Sequence, residues 1–188
     1  MTYSFPCQDL SLAGLGKGMS KGDNTRSGLL WEVERLLDEC NGNLPQILLM
    51  ENVPQVIGKK NIKDFQEWRK KLEQLGYSNY VELLNSKDYK IPQNRNRCFM
   101  VSILGDYYYE FPKKQKLELR LKDMLETNVD EKYYLSQKAI DGFVAHNIKQ
   151  DENGWHMKFE PYERERESSN TICSRNPTGA TDNYIYDP

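Results

Sequence analysis

Three short stretches carry side chains suited to covalent chemistry: Pro6-Cys7-Gln8, Glu51-Asn52-Val53 and Gln93-Asn94-Arg95-Asn96-Arg97. They offer a thiol, a carboxylate and two guanidiniums. A thiolate is intrinsically very nucleophilic near neutral pH, a positioned carboxyl gives or takes a proton, and arginine supplies forked donors that stay charged. A nucleophile, an acid and cationic donors are what an active site must gather. Each also has a plainer reading. A lone cysteine is usually a small buried hydrophobe, a strand-end glutamate a surface acid, and a pair of arginines a solvated turn. The choice turns on whether the fold brings the three together.

The elements around them form a recognisable series. Residues 2–5, TYSF, read as the end of a strand, and residues 9–27 hold four glycines among Ser, Asp and Asn, which marks a loop. Residues 28–40 place apolar side chains at 29, 30, 33, 36 and 37, the spacing of an amphipathic helix. Residues 45–53 are a short continuous apolar run closed by Glu-Asn, as expected of a strand buried in a parallel sheet. A second helix, 62–75, repeats apolar residues at 62, 65, 68, 72 and 75 and stops at Gly76. Two more strands, 77–85 and 97–104, flank a loop containing KIPQNR. This is half of an α/β domain. Its strands would deliver the thiol and the carboxylate to one crevice at their carboxyl ends, joined there by the arginines of the last loop.

Beyond Gly105 the pattern loosens. Residues 121–126 predict a short helix, 130–147 hold room for another, and 149–170 are charged and polar. A domain boundary at 105–115 follows. The tyrosines at 107–109 suit packing, and Cys40 and Cys98 suit burial on a helix and a strand.

Composition narrows the classes. The 188 residues are 38% hydrophobic and 29% charged with net charge −2, and mean hydropathy is −0.81. No run approaches the length of a membrane span, and no secretory signal is visible. Four scattered cysteines without a CxxC pair, and two histidines, argue against zinc and for a reducing cytosol. Residues 1–100 hold 14 Lys and Arg against 12 Asp and Glu, and residues 101–188 hold 12 against 16. Any nucleic-acid contact therefore rests on a few placed cations, not a broad basic field.

The three stretches, in this order, resemble the C5 cytosine-specific DNA methyltransferases, whose hallmark motifs are PCQ, ENV and QxRxR. The likeness covers residues 3–105 and extends through GKGMSKGDNTRSGLLWEVERLL and LNSKDYKIPQNRNRCFMVSI. It implies the catalytic half of a Rossmann-like, S-adenosylmethionine-dependent methyltransferase sheet over 1–105, followed by a mostly irregular or β target-recognition region over 106–188. It further implies duplex DNA as partner, S-adenosylmethionine as methyl donor and no metal. Cys7 would attack C6 of a flipped cytosine, with Arg97 as the cation favouring its thiolate. Glu51 would hold or protonate N3, Arg95 and Arg97 would hold O2 and nearby groups, and Asn52 would orient the loop. Pro6, Gln8, Val53 and Gln93 belong to the same substrate-binding motifs. Ser11, Lys17 and Arg26 are the phosphate contacts this implies, and Thr171-Ile172 the Thr-aliphatic pair that touches the target.

The family's glycine-rich FxGxGG turn, which binds the cofactor, does not occur in these 188 residues, nor do its late motifs. The expectation is the middle of such an enzyme, a subunit of a split enzyme or a truncated reading frame, self-associating, unstable or paired with a second polypeptide, with the 2–5 strand exposed as a sheet edge and weak or no cofactor binding by the chain alone. Two other readings compete: a catalytically inactive DNA-binding or partner-binding module of the same descent, and an RNA cytosine methyltransferase of the same fold.

Overall fold

A computed structural model describes residues 1–10, 17–22, 25–154, 158–172 and 179–187. In chain order the elements are β1 (Thr2–Tyr3), α1 (Leu30–Glu39), β2 (Ile47–Asn52), α2 (Ile62–Gln74), β3 (Tyr77–Asn85), β4 (Gln93–Asn94), β5 (Asn96–Leu104), α3 (Gln137–Glu152) and β6 (Ser169–Asn170). They divide into two compact units. The first holds Met1–Asn85 with Asn96–Lys113, and the second Ser86–Arg95 with Lys114–Pro188.

The first unit is built on a four-stranded sheet in the order β1-β2-β5-β3. β1 runs parallel to β2, with Tyr3 opposite Met50. β5 lies antiparallel to both β2 and β3. The apolar run of 45–53 thus sits in a mixed sheet, parallel on one side only, because β3 and β5 pair as a hairpin would and β5 enters the space beside β2. β1 is one edge of the described sheet and β3 the other.

Each helix buries the face that its spacing announces. On α1, Leu30, Val33 and Leu37 are buried while Leu36, and Leu29 just before the helix, stay exposed. On α2, Phe65, Trp68 and Leu72 are buried. They close one core with Leu48 and Met50 of β2 and Cys98 and Met100 of β5. Trp68, with no exposed surface, donates its indole N–H to Tyr3 Oη at 2.9 Å and meets the Tyr3 and Trp31 rings edge-on. Burial pushes the Tyr3 phenol far above its ordinary value, in spite of that hydrogen bond. Glu34, on the same helix as Leu30, is buried between Lys21 at 2.6 Å and Lys71 at 3.6 Å. Tyr80 hydrogen-bonds to the Tyr107 carbonyl and its ring meets those of Tyr108 and Tyr109, while Tyr107 and Tyr108 themselves stay exposed.

In the second unit β4 and β6 form a short parallel ladder, Gln93 opposite Ser169 and Asn94 opposite Asn170. The helix within 130–147 is α3, which runs on to Glu152 and is capped by the Ser136 hydroxyl. Its Phe143 stacks on Phe159 at 4.8 Å, and Tyr184 meets both rings. Asn147 accepts from the Phe159 N–H at 2.7 Å and donates to its carbonyl at 2.8 Å. The expected helix at 121–126 is a single 3-10 turn, Leu121–Met124. Among the described residues no helix is long and apolar enough to cross a membrane.

Candidate active site

Pro6-Cys7-Gln8 leaves the carboxyl end of β1, and Glu51-Asn52-Val53 closes β2, its parallel neighbour. The register puts the two stretches on the same edge of the sheet. Asn52 joins them. Nearly inaccessible to solvent at 2%, its amide donates to the Phe5 carbonyl at 3.0 Å while its own oxygen accepts from the Val53 N–H at 2.8 Å. One buried carboxamide therefore fixes both the approach to the thiol and the turn after the acid. Val53 is extended and precedes Pro54 at the start of a 3-10 turn, the conformation a following proline favours.

Glu51 is held from two sides. Its Oε1 faces Arg97 Nε at 2.9 Å, and Ser4 Oγ donates to Oε2 at 3.3 Å. Arg97 comes from β5, one residue before Cys98, whose Cα stands opposite Asn52. Its Nη1 donates to the Asn96 carbonyl at 2.7 Å. The sequence assigns Arg97 to the thiolate; the guanidinium instead binds the carboxylate, because the antiparallel register carries it past the end of β2.

Cys7 is half-buried and unbridged. Its carbonyl accepts from the Leu10 N–H at 3.0 Å, closing a turn. The Pro6 carbonyl accepts from Ser27 Oγ at 2.5 Å. Arg26, named from the sequence as a phosphate contact, donates from Nη1 to Gln8 Oε1 at 2.9 Å. Lys17 is exposed, and Ser11 lies outside the described residues. Two buried residues that sequence reasoning passed over, Asp9 and Ser27, frame this loop. A carboxylate directly after PCQ, and a serine just before the apolar spacing of α1, are the signals that could have found them.

The other two free thiols among the described residues behave differently. Cys98 is fully buried, and burial first, then the Glu51 charge, pushes its thiol up to about 11. Cys40 donates to the Leu36 carbonyl at 3.3 Å at the end of α1.

Gln93, Arg95, Thr171 and Ile172 belong to the second unit. There the Thr171 hydroxyl donates to the Asn94 carbonyl at 2.9 Å, so Thr171 sits beside the QNRNR segment, and Ile172 is exposed. Arg95 gives its carbonyl to the Ser86 N–H at 3.1 Å.

The described residues do not fit a cradle for S-adenosylmethionine. A glycine-rich turn following a strand is what receives such a cofactor, and here the ends of β1 and β2 carry PCQ and ENV. A cavity of about 470 Å³ opens elsewhere, in the second unit, lined by Tyr134, Phe159 and Tyr184 among others. Among the described residues, no group of three or more His, Cys, Asp or Glu is placed to hold a metal ion.

Comparison with known proteins shows the family. The family model described as C-5 cytosine-specific DNA methylase matches residues 1–183. The orphan methyltransferase M.SssI of Spiroplasma monobiae is 50% identical over 137 residues, covering 72% of this chain and 35% of the relative. The Type II methyltransferase M.NlaX of Neisseria lactamica is 34% identical over 176 residues, covering 93% and 54%. The chain thus spans between about a third and a half of the length of these relatives. Among solved structures, the Entamoeba histolytica methyltransferase EhMeth shares the fold with a TM-score of 0.67 at 21% identity, over 91% of this chain and 48% of that one. The S. pombe Dnmt2 methyltransferase does so with 0.63 at 20% identity, over 91% and 49%.

Proposed function

The chain belongs to the C-5 cytosine-specific DNA methylase family, and from that premise we propose that its first unit holds the reacting groups of a DNA (cytosine-5)-methyltransferase. The thiolate of Cys7 adds to C6 of a cytosine drawn out of duplex DNA, since C6 is out of reach inside the stack. The S–C6 bond forms as the C5–C6 π pair moves onto C5. Glu51 hydrogen-bonds or protonates N3, which draws electron density from C6 as the sulfur arrives. Arg97 holds Glu51 in place. Family membership implies S-adenosylmethionine as the methyl group's source.

We assign the holding of that cofactor to a segment or second polypeptide that carries the family's FxGxGG turn, since the residues present here do not fit it. The second unit serves as the target-recognition region, with Gln93, Thr171 and Ile172 on its reading surface and Lys17 near the phosphates.

One observation carries this reading: Asn52 binds the Phe5 carbonyl, two residues before Cys7, from the position next to a Glu51 already gripped by Arg97. The test is duplex DNA containing 5-fluorocytosine, mixed with the chain, S-adenosylmethionine and a polypeptide supplying the FxGxGG segment. The fluorine blocks release after methyl transfer, so a covalent complex whose cross-linked peptide contains Cys7 is expected. Absence of that complex in the complete mixture refutes the proposal.

A further inference from the structure

We infer that Asp9 and Ser27, both buried and outside the three hallmark motifs PCQ, ENV and QxRxR, are the positioning residues that fix Cys7 for attack. The inference rests on reading Cys7 as the nucleophile, and it concerns how the chain aims that sulfur.

The main chain around Cys7 is bound on both sides. Upstream, the Phe5 carbonyl takes the Asn52 amide and the Pro6 carbonyl takes the Ser27 hydroxyl. Downstream, Asp9 collects three donors. Its carbonyl accepts from the Gly18 N–H at 3.1 Å, and its Oδ2 accepts from the N–H groups of Arg26 at 2.8 Å and Ser27 at 3.4 Å. Asp9 is 7% exposed and Ser27 is not exposed at all. Gly18 has φ +89°, a left-handed conformation that glycine adopts without strain, and so presents its N–H to Asp9.

These contacts are reciprocal. Ser27 gives its hydroxyl to residue 6 and its N–H to residue 9, so that it bridges both sides of Cys7. It also opens the 3-10 turn Ser27–Leu29 that runs into α1, whose Leu30 and Leu37 are anchored in the core. A carboxylate at the free N–H groups that begin a helix is favoured by the aligned peptide dipoles, which explains how Asp9 tolerates burial. The thiol is consequently referenced to two rigid elements, β2 through Asn52 and α1 through Asp9 and Ser27. Neither residue touches substrate. Their work is to hold the Cα of Cys7 where the sulfur meets C6, and a misplacement of about 1 Å at a reacting group can cost about 100-fold in rate.

The test uses the full chain with Ser27→Ala, Asp9→Ala and Asp9→Asn. Iodoacetamide alkylation is followed by peptide mass mapping, with Cys40 of the same sample as the internal reference. Adduct formation on 5-fluorocytosine DNA is followed in the complete mixture. In Ser27→Ala and Asp9→Ala the Cys7-to-Cys40 alkylation ratio should change by about fivefold or more as the loop opens locally. The adduct rate at saturating DNA should fall by about 10-fold to 100-fold, with half-saturation moving less than about threefold. Asp9→Asn keeps an acceptor oxygen for Arg26 and Ser27 and should recover most of the rate. An unchanged alkylation ratio and rate in folded Ser27→Ala, or an Asp9→Asn as slow as Asp9→Ala, overturns the inference. Should Asp9→Ala fail to fold, Ser27→Ala decides, since it deletes one oxygen atom. If the unmodified chain forms no adduct, Cys7 is not the nucleophile, and the alkylation ratio still reports whether the clamp exists.

Discussion

Arg97 Nε stands 2.9 Å from Glu51 Oε1, joining the end of β2 to the start of β5. The pair is only partly shielded, with the guanidinium 19% and the carboxylate 37% exposed, so its value to stability is small. Its value is directional: the planar guanidinium binds the carboxylate through Nε and the Asn96 carbonyl through Nη1, so the acid is held against a fixed donor.

Because Arg97 acts through Glu51, their substitutions should not add. Glu51→Gln should slow adduct formation by about 100-fold to 1,000-fold. Arg97→Ala should slow it less, and the double variant no more than Glu51→Gln alone. Arg97→Lys should not rescue, for an ammonium lacks the fork. Single-turnover adduct rates decide the point, and additive losses would show that the two residues act independently.

Asn52→Ala strands the Phe5 carbonyl and the Val53 N–H in a buried place. Chemical denaturation should show a loss of about 1–3 kcal/mol. Asn52→Asp keeps the acceptor for Val53 but turns a carboxylate oxygen toward the Phe5 carbonyl, so it should cost more than alanine. A neutral result for both would mean that the loop is not held by this side chain.

The buried Cys98 thiol predicts alkaline sensitivity. Its folded value of about 11 lies above the ordinary 9.0, so the folded state keeps a proton that the unfolded chain gives up. Its stabilising contribution is whole below pH 9 and is lost as the pH rises through 11. Unfolding free energy should fall between pH 9 and 11, and fall less in Cys98→Ala, measured by denaturant titration at each pH. At pH 8 the folded chain should yield Cys7 to alkylation and withhold Cys98.

Trp68 and Tyr108 offer a contrast in burial. Trp68→Ala should lower unfolding free energy by about 3–5 kcal/mol, as a large core aromatic removed. Tyr108, 83% exposed, should cost less than about 0.5 kcal/mol as Tyr108→Ala. Thermal melts of the two variants side by side test this.

Periodicity made the first unit readable. The strand expected at 77–85 is β3 to the residue, and the helix expected at 62–75 ends one position early. The helix expected at 28–40 is α1 with a 3-10 turn before it. These segments bury one clear face, which is what a sequence pattern records. Partnerships across the fold leave no such trace. That β5 lies antiparallel against β2 and that Arg97 therefore grips Glu51 follow from register, which pairs residues far apart in the chain; that Arg26 turns to Gln8 is a loop contact no periodicity records. Asp9 escaped notice because a single acid in a polar loop looks like solvent-facing charge. Segment 86–95 has turn composition, yet its Gln93-Asn94 pairs with β6, a contact no local pattern announces.

The order β1-β2-β5-β3 also constrains how the chain acquires its form. β5 is the last of these strands to be made, and it lies in the middle, so β2 and β3 share no ladder until it arrives. Both helices can condense early on local contacts, but pairing across so long a separation is slow. During synthesis the nascent sheet must wait for residue 104 to leave the ribosome. Until then the edges of β2 and β3 that β5 will cover are open to whatever is near, and chaperone dependence should be greatest in that interval.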